Sequence, residues 1–275
     1  MITKDAARRL QRALHTPRIA LCLVCCAALG CSTGTTRRAG AAAADQATPV
    51  RLAHDHFEPA LRLARASRAN GDLASAINLY EGVVAVQPTD PGLLVEFGDT
   101  LVDAGSLDAA IEVYEKVRDN LDAQVGALLG LQRAYLRLEE PEKALQLAAR
   151  ALGLAPQDHR VLISRGVALD MLGAHAAAQA EYRAVLVGYP HDMAARNDLA
   201  LSLALTRQFE EAADILKPMA NSANATPQLR QNLALIYGMN GDGARADALS
   251  RIDLDDATAE GNLRFFEFAR GQIGK

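Results

Sequence analysis

The chain has 275 residues, half of them hydrophobic, only 4% aromatic and 23% charged, with no tryptophan. One residue in five is alanine, which costs least in a helix and packs poorly in a sheet, so the composition predicts an all-α fold. A formal charge of −4 excludes a nucleic-acid binder, which needs a basic stripe to meet phosphates; the composition also excludes collagen, a wholly disordered chain and a multi-span membrane protein.

The first element is a leader. Lys4, Arg8, Arg9, Arg12 and Arg18 precede an apolar run from Ile19 to Gly30, the basic-then-apolar order of a secretory signal and too short to span a bilayer as a mature helix. All four cysteines lie here: Cys22, Cys25, Cys26 and Cys31. Ala28-Leu29-Gly30-Cys31 resembles a bacterial lipobox, which implies cleavage after Gly30 and a covalent diacylglycerol and N-acyl lipid on Cys31, with no other cofactor. The competing reading is an ordinary signal peptide cut near Gly30. The spacing Cys22-x-x-Cys25 is a poor redox motif, because it falls in a segment destined for removal rather than at a helix N-terminus of a folded domain. The chain beyond Gly30 carries a charge of −8 (24 basic and 32 acidic residues), and Cys31 is its one thiol. By resemblance to other lipoproteins, Ser32 after the cysteine favours the outer membrane. Residues 31–56 form the lipidated N-terminus and a linker: the stretch around Thr33–Arg38 and the alanines 41–44 lack apolar periodicity. Arg37-Arg38 reads as a solubility feature, with a role at anionic lipid heads as the alternative.

From Phe57 the chain repeats every 34 residues. The twentieth place of each repeat is Ala76, Ala110, Ala144, Ala178, Ala212 and Ala246. The seventh is Leu63, Phe97, Leu131, Leu199 and Leu233, with Arg165 as the exception; the eighth is small except at Gln132. The twenty-fourth holds Tyr80, Tyr114 and Tyr182, the thirty-second Pro88, Pro156 and Pro190, and glycines stand at the fifteenth in Gly71, Gly105, Gly173 and Gly241. This pattern resembles the tetratricopeptide repeat (TPR), a pair of antiparallel helices per unit. The expected fold is an all-α TPR solenoid of six helix-turn-helix repeats (57–90, 91–124, 125–158, 159–192, 193–226 and 227–254), closed by a capping helix and tail at 255–275. Pro141 opens a second helix, and the prolines at place thirty-two end second helices. Asp255-Asp256 caps a final helix from about Ala257 to Arg270, with Leu263, Phe265, Phe266 and Phe268 either closing the last repeat or offering an aromatic contact to a partner.

Nothing in the sequence points to catalysis. His54-x-His56 has no further ligand at metal spacing, and His159, His175 and His191 fall at turns or helix starts where solvent exposure is expected. Glu139-Glu140 and Glu210-Glu211 read as solvated helix starts, and there is no phosphate loop or nucleophile elbow. Function is therefore expected on the surface lined by the first helices. By resemblance to peptide-binding TPR proteins, places two, five, nine and twelve face a groove; the fifth reads Leu61, Val95, Leu129, Ile163, Asn197 and Gln231, and the ninth Arg65, Asp99, Arg133, Val167, Leu201 and Leu235. For the apolar ones, packing between adjacent first helices is the competing reading. Leu61 and Arg65 replace the Lys and Asn of a carboxylate clamp, which disfavours a chaperone adaptor.

Within the last third, Arg196-Asn197-Asp198-Leu199-Ala200, the run from Thr226 to Gly238 and Asp253-Leu254-Asp255 followed by Gly261-Asn262-Leu263 resemble the TadD family. These are TPR lipoproteins of the tight-adherence (Flp, type IVb) pilus apparatus. The resemblance implies a non-enzymatic, pilotin-like scaffold on the periplasmic face of the outer membrane. Its partners would be an outer-membrane secretin or other pilus-assembly proteins, with no nucleic acid and no small-molecule substrate. The alternatives are an adaptor docking peptidoglycan hydrolases or outer-membrane assembly factors and, in a different class, an enzyme.

Overall fold

The computed structural model describes residues 57–273. The leader, Cys31, the linker and His54-x-His56 lie outside the described residues. Among the described residues there are thirteen helices and no strand. In chain order they are α1 (Phe57–Ala69), α2 (Leu73–Val86), α3 (Pro91–Ala104), α4 (Leu107–Glu115), α5 (Gln124–Arg137), α6 (Pro141–Leu154), α7 (His159–Met171), α8 (His175–Gly188), α9 (Met193–Leu205), α10 (Phe209–Ala220), α11 (Pro227–Asn240), α12 (Gly243–Asp253) and α13 (Asp256–Ile273). The fold is all-helical with TPR-like helix pairs. The chain divides into two compact blocks, and among the described residues the first is 57–164 and the second 165–273.

Local chemistry sets the helix ends. Asp90 and Thr226 each accept a hydrogen bond from a backbone N–H three residues on, at 2.8 and 3.3 Å, and a proline follows each at the first helical position. Each cap satisfies a donor that the helix leaves orphaned, while the proline has no N–H to lose. Pro141 starts α6 in the same way.

The turns between paired helices share one backbone state. Gly71, Gly105, Gly173 and Gly241 have φ between +79° and +94°. Glu139 and Arg207, at the same place of their repeats, also sit left-handed at +62° and +65°. The sequence reading of Glu139 as a helix start is therefore corrected. It is the turn residue, held left-handed against its Cβ because the helix pair must reverse there, and Glu140 is the residue that precedes α6.

Packing follows the repeat columns. The six alanines at place twenty are 0–1% exposed, leaving room for nothing larger at each helix crossing. Tyr80, Tyr114 and Tyr182 are fully buried. A Cβ on Gly98 would lie 2.5 Å from the Tyr114 ring, and one on Gly166 would lie 2.5 Å from the Tyr182 ring, so in these two repeats the eighth place is small because the twenty-fourth is large. The third repeat inverts the trade: the buried Gln132 stands at the eighth place and the buried Ala148 at the twenty-fourth. Gly130, two residues before Gln132, then takes the other side of the Tyr114 ring. Phe97, Leu131, Leu199 and Leu233 are buried as their column predicts, whereas Leu63 is exposed.

The last helix begins with Asp255, which accepts from the Thr258 backbone N–H at 2.9 Å. α13 packs on α11 and α12, and Phe266 lies against Gly238, where a Cβ would meet its ring carbons within 2.7 Å. Phe266 and Ala269 are buried, but Phe268 is exposed beside Arg264 and Glu267. Of the two readings of the aromatic cluster, closure of the last repeat therefore describes Phe266 and not Phe268.

Candidate interaction surface

The twelve expected groove positions divide by burial. Leu61, Leu129, Leu201 and Leu235 are buried, and Leu129 packs with Leu128, Ala148, Ala151 and Val161. These four fill the space between helices. Val95, Ile163, Val167, Asn197 and Gln231 are half-buried, as are Asp99 and Arg133, and Arg65 is exposed.

In the 57–164 block the polar members form an ionic ladder joining consecutive first helices. Arg65 of α1 grips Glu96 of α3 with two bonds, Nε to Oε2 at 2.8 Å and Nη2 to Oε1 at 2.6 Å. Arg68 of α1 donates to Asp103 of α3 at 2.8 and 2.9 Å. From the other side, Arg133 of α5 donates to Asp99 at 3.0 Å and to Asp103 at 3.3 Å. The tyrosines join from beneath: Tyr80 donates its hydroxyl to Glu96 at 3.1 Å and Tyr114 to Asp99 at 2.7 Å. The hydrogen bond from Arg65 holds the Glu96 carboxyl below the usual carboxylate range. Burial, reinforced by the Glu96 charge, pushes the Tyr80 hydroxyl up to about 12. Burial beside Asp99 likewise pushes Tyr114 up.

In the 165–273 block successive first helices are joined instead by amides and by a buried carboxylate. Asp170 of α7 is fully buried. It accepts from Ser202 of α9 at 2.8 Å and from Tyr182 of α8 at 3.1 Å, and His175 places Nδ1 2.8 Å from it. Burial pushes the Tyr182 hydroxyl well above its ordinary value, and the charges of Asp198 and Asp170 add to that. Asn232 of α11 donates to Asn197 of α9 at 2.7 Å, and Asn262 of α13 to Gln231 of α11 at 3.4 Å. α13 thus continues the ladder in the position of a further first helix. Within the last pair, Arg230 grips Asp253 through Nε at 2.8 Å and through Nη2, which holds that carboxyl below its usual range.

The histidines differ from expectation in two cases of three. His191 is exposed, 3.3 Å from Arg196, as its place in the repeat predicts. His175 is instead drawn inward onto Asp170, and His159 is half-buried. Asp170, Ser202, Glu96 and Asp103 were not singled out from the sequence. The signal that finds them is complementary polar residues 31 to 35 positions apart, as in Arg65–Glu96, Arg68–Asp103, Asp170–Ser202 and Asn197–Asn232. Among the described residues no three His, Cys, Asp or Glu side chains are grouped to hold a metal ion, and no helix is long and apolar enough to cross a membrane.

Tetratricopeptide-repeat models match residues 67–125, 129–190 and 172–219. The chain is a tetratricopeptide-repeat protein, of a fold that serves typically as a non-catalytic scaffold for protein–protein interaction. It is 32% identical over 201 residues to cellulose synthase operon protein C of Xanthomonas axonopodis pv. citri, covering 70% of this chain and 13% of that protein. It is 33% identical over 116 residues to cellulose synthase 2 operon protein C of Komagataeibacter xylinus, covering 42% of this chain and 9% of that one. The chain thus spans about a tenth of the length of these two relatives. Among solved structures it is similar to a thermophilic TPR protein of Thermus thermophilus, with a TM-score of 0.60 and 22% identity, over 66% of this chain and 98% of that one.

Proposed function

We propose that this protein is a lipid-anchored scaffold on the periplasmic face of the outer membrane, where its repeats hold partner proteins during assembly of a tight-adherence pilus and its secretin. The observation that carries the reading is the combination of Gly30-Cys31 behind a basic, apolar leader with a repeat array built to bind proteins. The run from Thr226 to Gly238 and the Asp253-Leu254-Asp255 ending direct it to the pilus apparatus. Partner contact falls to the half-exposed members of the ladder surface, Arg65, Val95, Asp99 and Arg133, and in the second block to Asn197 and Gln231, because the buried leucines cannot be reached. Anchoring then raises the effective concentration of the array at the membrane where its client assembles.

A second reading is favoured by one finding. The two named relatives are cellulose synthase operon proteins, which makes a cellulose-synthesis assembly the client in this second reading. One experiment separates the two. In cells expressing Cys31→Ser, fatty-acid labelling should stop, the protein should leave the outer-membrane fraction, and secretin multimers and surface pili should fall. Normal pili with reduced cellulose export would favour the second reading. Wild-type protein that takes up no labelled lipid would overturn the anchor.

A further inference from the structure

The buried tyrosines mark one place at the junction between consecutive helix pairs. Sixteen residues beyond each of them stands the sixth place of the next repeat, and that residue meets the tyrosine's hydroxyl end. Tyr80 donates its hydroxyl to Glu96 at 3.1 Å. A Cβ on Gly130 would lie 2.6 Å from the Tyr114 hydroxyl oxygen. Asp198 stands in the same relation to Tyr182 and its charge acts on that hydroxyl. The ring itself lies against the eighth place of its own repeat, at Gly98 for Tyr114 and at Gly166 for Tyr182. Two positions therefore enclose each tyrosine: the eighth of its own repeat and the sixth of the next.

In the third repeat the same three positions hold Ala148 of α6, Gln132 of α5 and Ser164 of α7, all within the 57–164 block. Gln132 and Ala148 are 0% exposed and Ser164 is 7% exposed. Among the described residues, Oε1 and Nε2 of Gln132 have no hydrogen-bond partner, and neither has the Ser164 hydroxyl. A buried polar atom that gives up its bonds to solvent destabilises the fold unless something replaces them, and here three such atoms border one junction. Their chemistry selects the occupant. None of the three carries a charge that could hold an ion, and burial on every side leaves no entry for a larger molecule. The amide sets a donor beside an acceptor, and the serine hydroxyl does either. We propose that a buried water molecule stands at this junction, where other repeats hold the phenolic end of a tyrosine. It accepts from the Gln132 Nε2–H, donates to Oε1 and bonds the Ser164 hydroxyl. Three bonds are the usual number for a buried water. The water thereby joins α5 to α7 across Ala148, as the Tyr80 hydroxyl joins α2 to α3.

Two measurements on the full-length protein test this. A crystal structure that shows ordered solvent should place a water about 2.7–3.2 Å from the Gln132 amide and from Ser164 Oγ. A direct Gln132–Ser164 bond, density for a larger group, or no density there would each overturn the proposal. Urea unfolding supplies a test by sign. With the water in place, Gln132→Met removes two of its bonds and strands Ser164, so the unfolding constant should rise about tenfold. Without it, the same change deletes two orphaned atoms at nearly constant volume, and the unfolding constant should fall. Such a fall would contradict the water site. Adding Ser164→Ala to Gln132→Met should raise the unfolding constant no further, because both side chains serve one water. Singles whose effects multiply in the double variant would show that the two side chains share nothing.

Discussion

The two blocks share one packing scheme and differ in what joins successive first helices. In 57–164 the junctions are arginine–carboxylate pairs at half-exposed positions: Arg65 with Glu96, and Arg68 and Arg133 with Asp99 and Asp103. In 165–273 they are neutral amides, Asn197 with Asn232 and Gln231 with Asn262, together with the fully buried Asp170 and its ring of donors. A half-exposed ion pair gives each junction at most about 1 kcal/mol and weakens with salt. A buried carboxylate gives little net stability while intact, but its loss strands every donor around it. The first block therefore has junctions that tolerate change, and the second has junctions that do not.

The largest effect should come from breaking the buried junction. Asp170→Ala leaves the Tyr182 and Ser202 hydroxyls without their acceptor and should cost about 2–4 kcal/mol in urea unfolding. Arg65→Ala, which removes a half-exposed rung of the ionic ladder and leaves Glu96 its bond from Tyr80, should cost about 1 kcal/mol. Equal costs would remove the distinction. Packing, by contrast, should not distinguish the blocks. Gly98→Ala and Gly166→Ala each push a Cβ against a buried tyrosine ring at 2.5 Å, and both should lose about 1–3 kcal/mol by thermal melting. Each block also holds one strained turn. Glu139→Gly and Arg207→Gly should each stabilise by about 0.5–1 kcal/mol, since a left-handed conformation costs an L-residue more than the added chain entropy of glycine. A loss at either position would mean that its side chain matters more than the turn.

The smallest effects are those of pH. Glu96 and Asp253 have folded pKa values below the ordinary carboxylate value of about 4. Their contribution is complete above that value and is lost as pH falls through the lower folded one, so acid titration should weaken both blocks. Tyr80 works in the opposite sense. Its folded value is raised to about 12, so its contribution is complete below about 10 and is lost as pH rises through 12. Tyr80→Phe should reduce the alkaline loss in a pH series of melting temperatures without abolishing it, because the hydroxyls of Tyr114 and Tyr182 are pushed up as well.

How much of this could be read in the sequence depends on the same division. Columns that record volume were legible, because a crossing that admits only alanine admits it in every repeat, as at Ala76 and its five counterparts. Gln132 looked like an exception only when its column was read alone; in its repeat the larger buried residue stands at the eighth place and the smaller, Ala148, at the twenty-fourth. Glu139 and Arg207 hid a glycine-type turn, since the topology imposes the backbone state whatever residue occupies it. For the expected groove, the repeat register gives Leu129 and Val95 the same place but not how deeply each lies, so they looked alike until neighbouring helices were in place. The ladders were missed because each rung pairs residues a full repeat apart and changes chemistry from Arg–Glu to Asn–Asn along the chain.

Amide hydrogen exchange read helix by helix, at about 0.05 M and about 1 M sodium chloride, tests the contrast between the blocks most directly. The Debye length shrinks to about 3 Å at the higher salt, which screens half-exposed pairs and leaves buried hydrogen bonds untouched. Protection of α1, α3 and α5 should fall at high salt while that of α9 and α11 holds or rises. An equal response in the two blocks, or a larger loss in α9 and α11, would contradict the account.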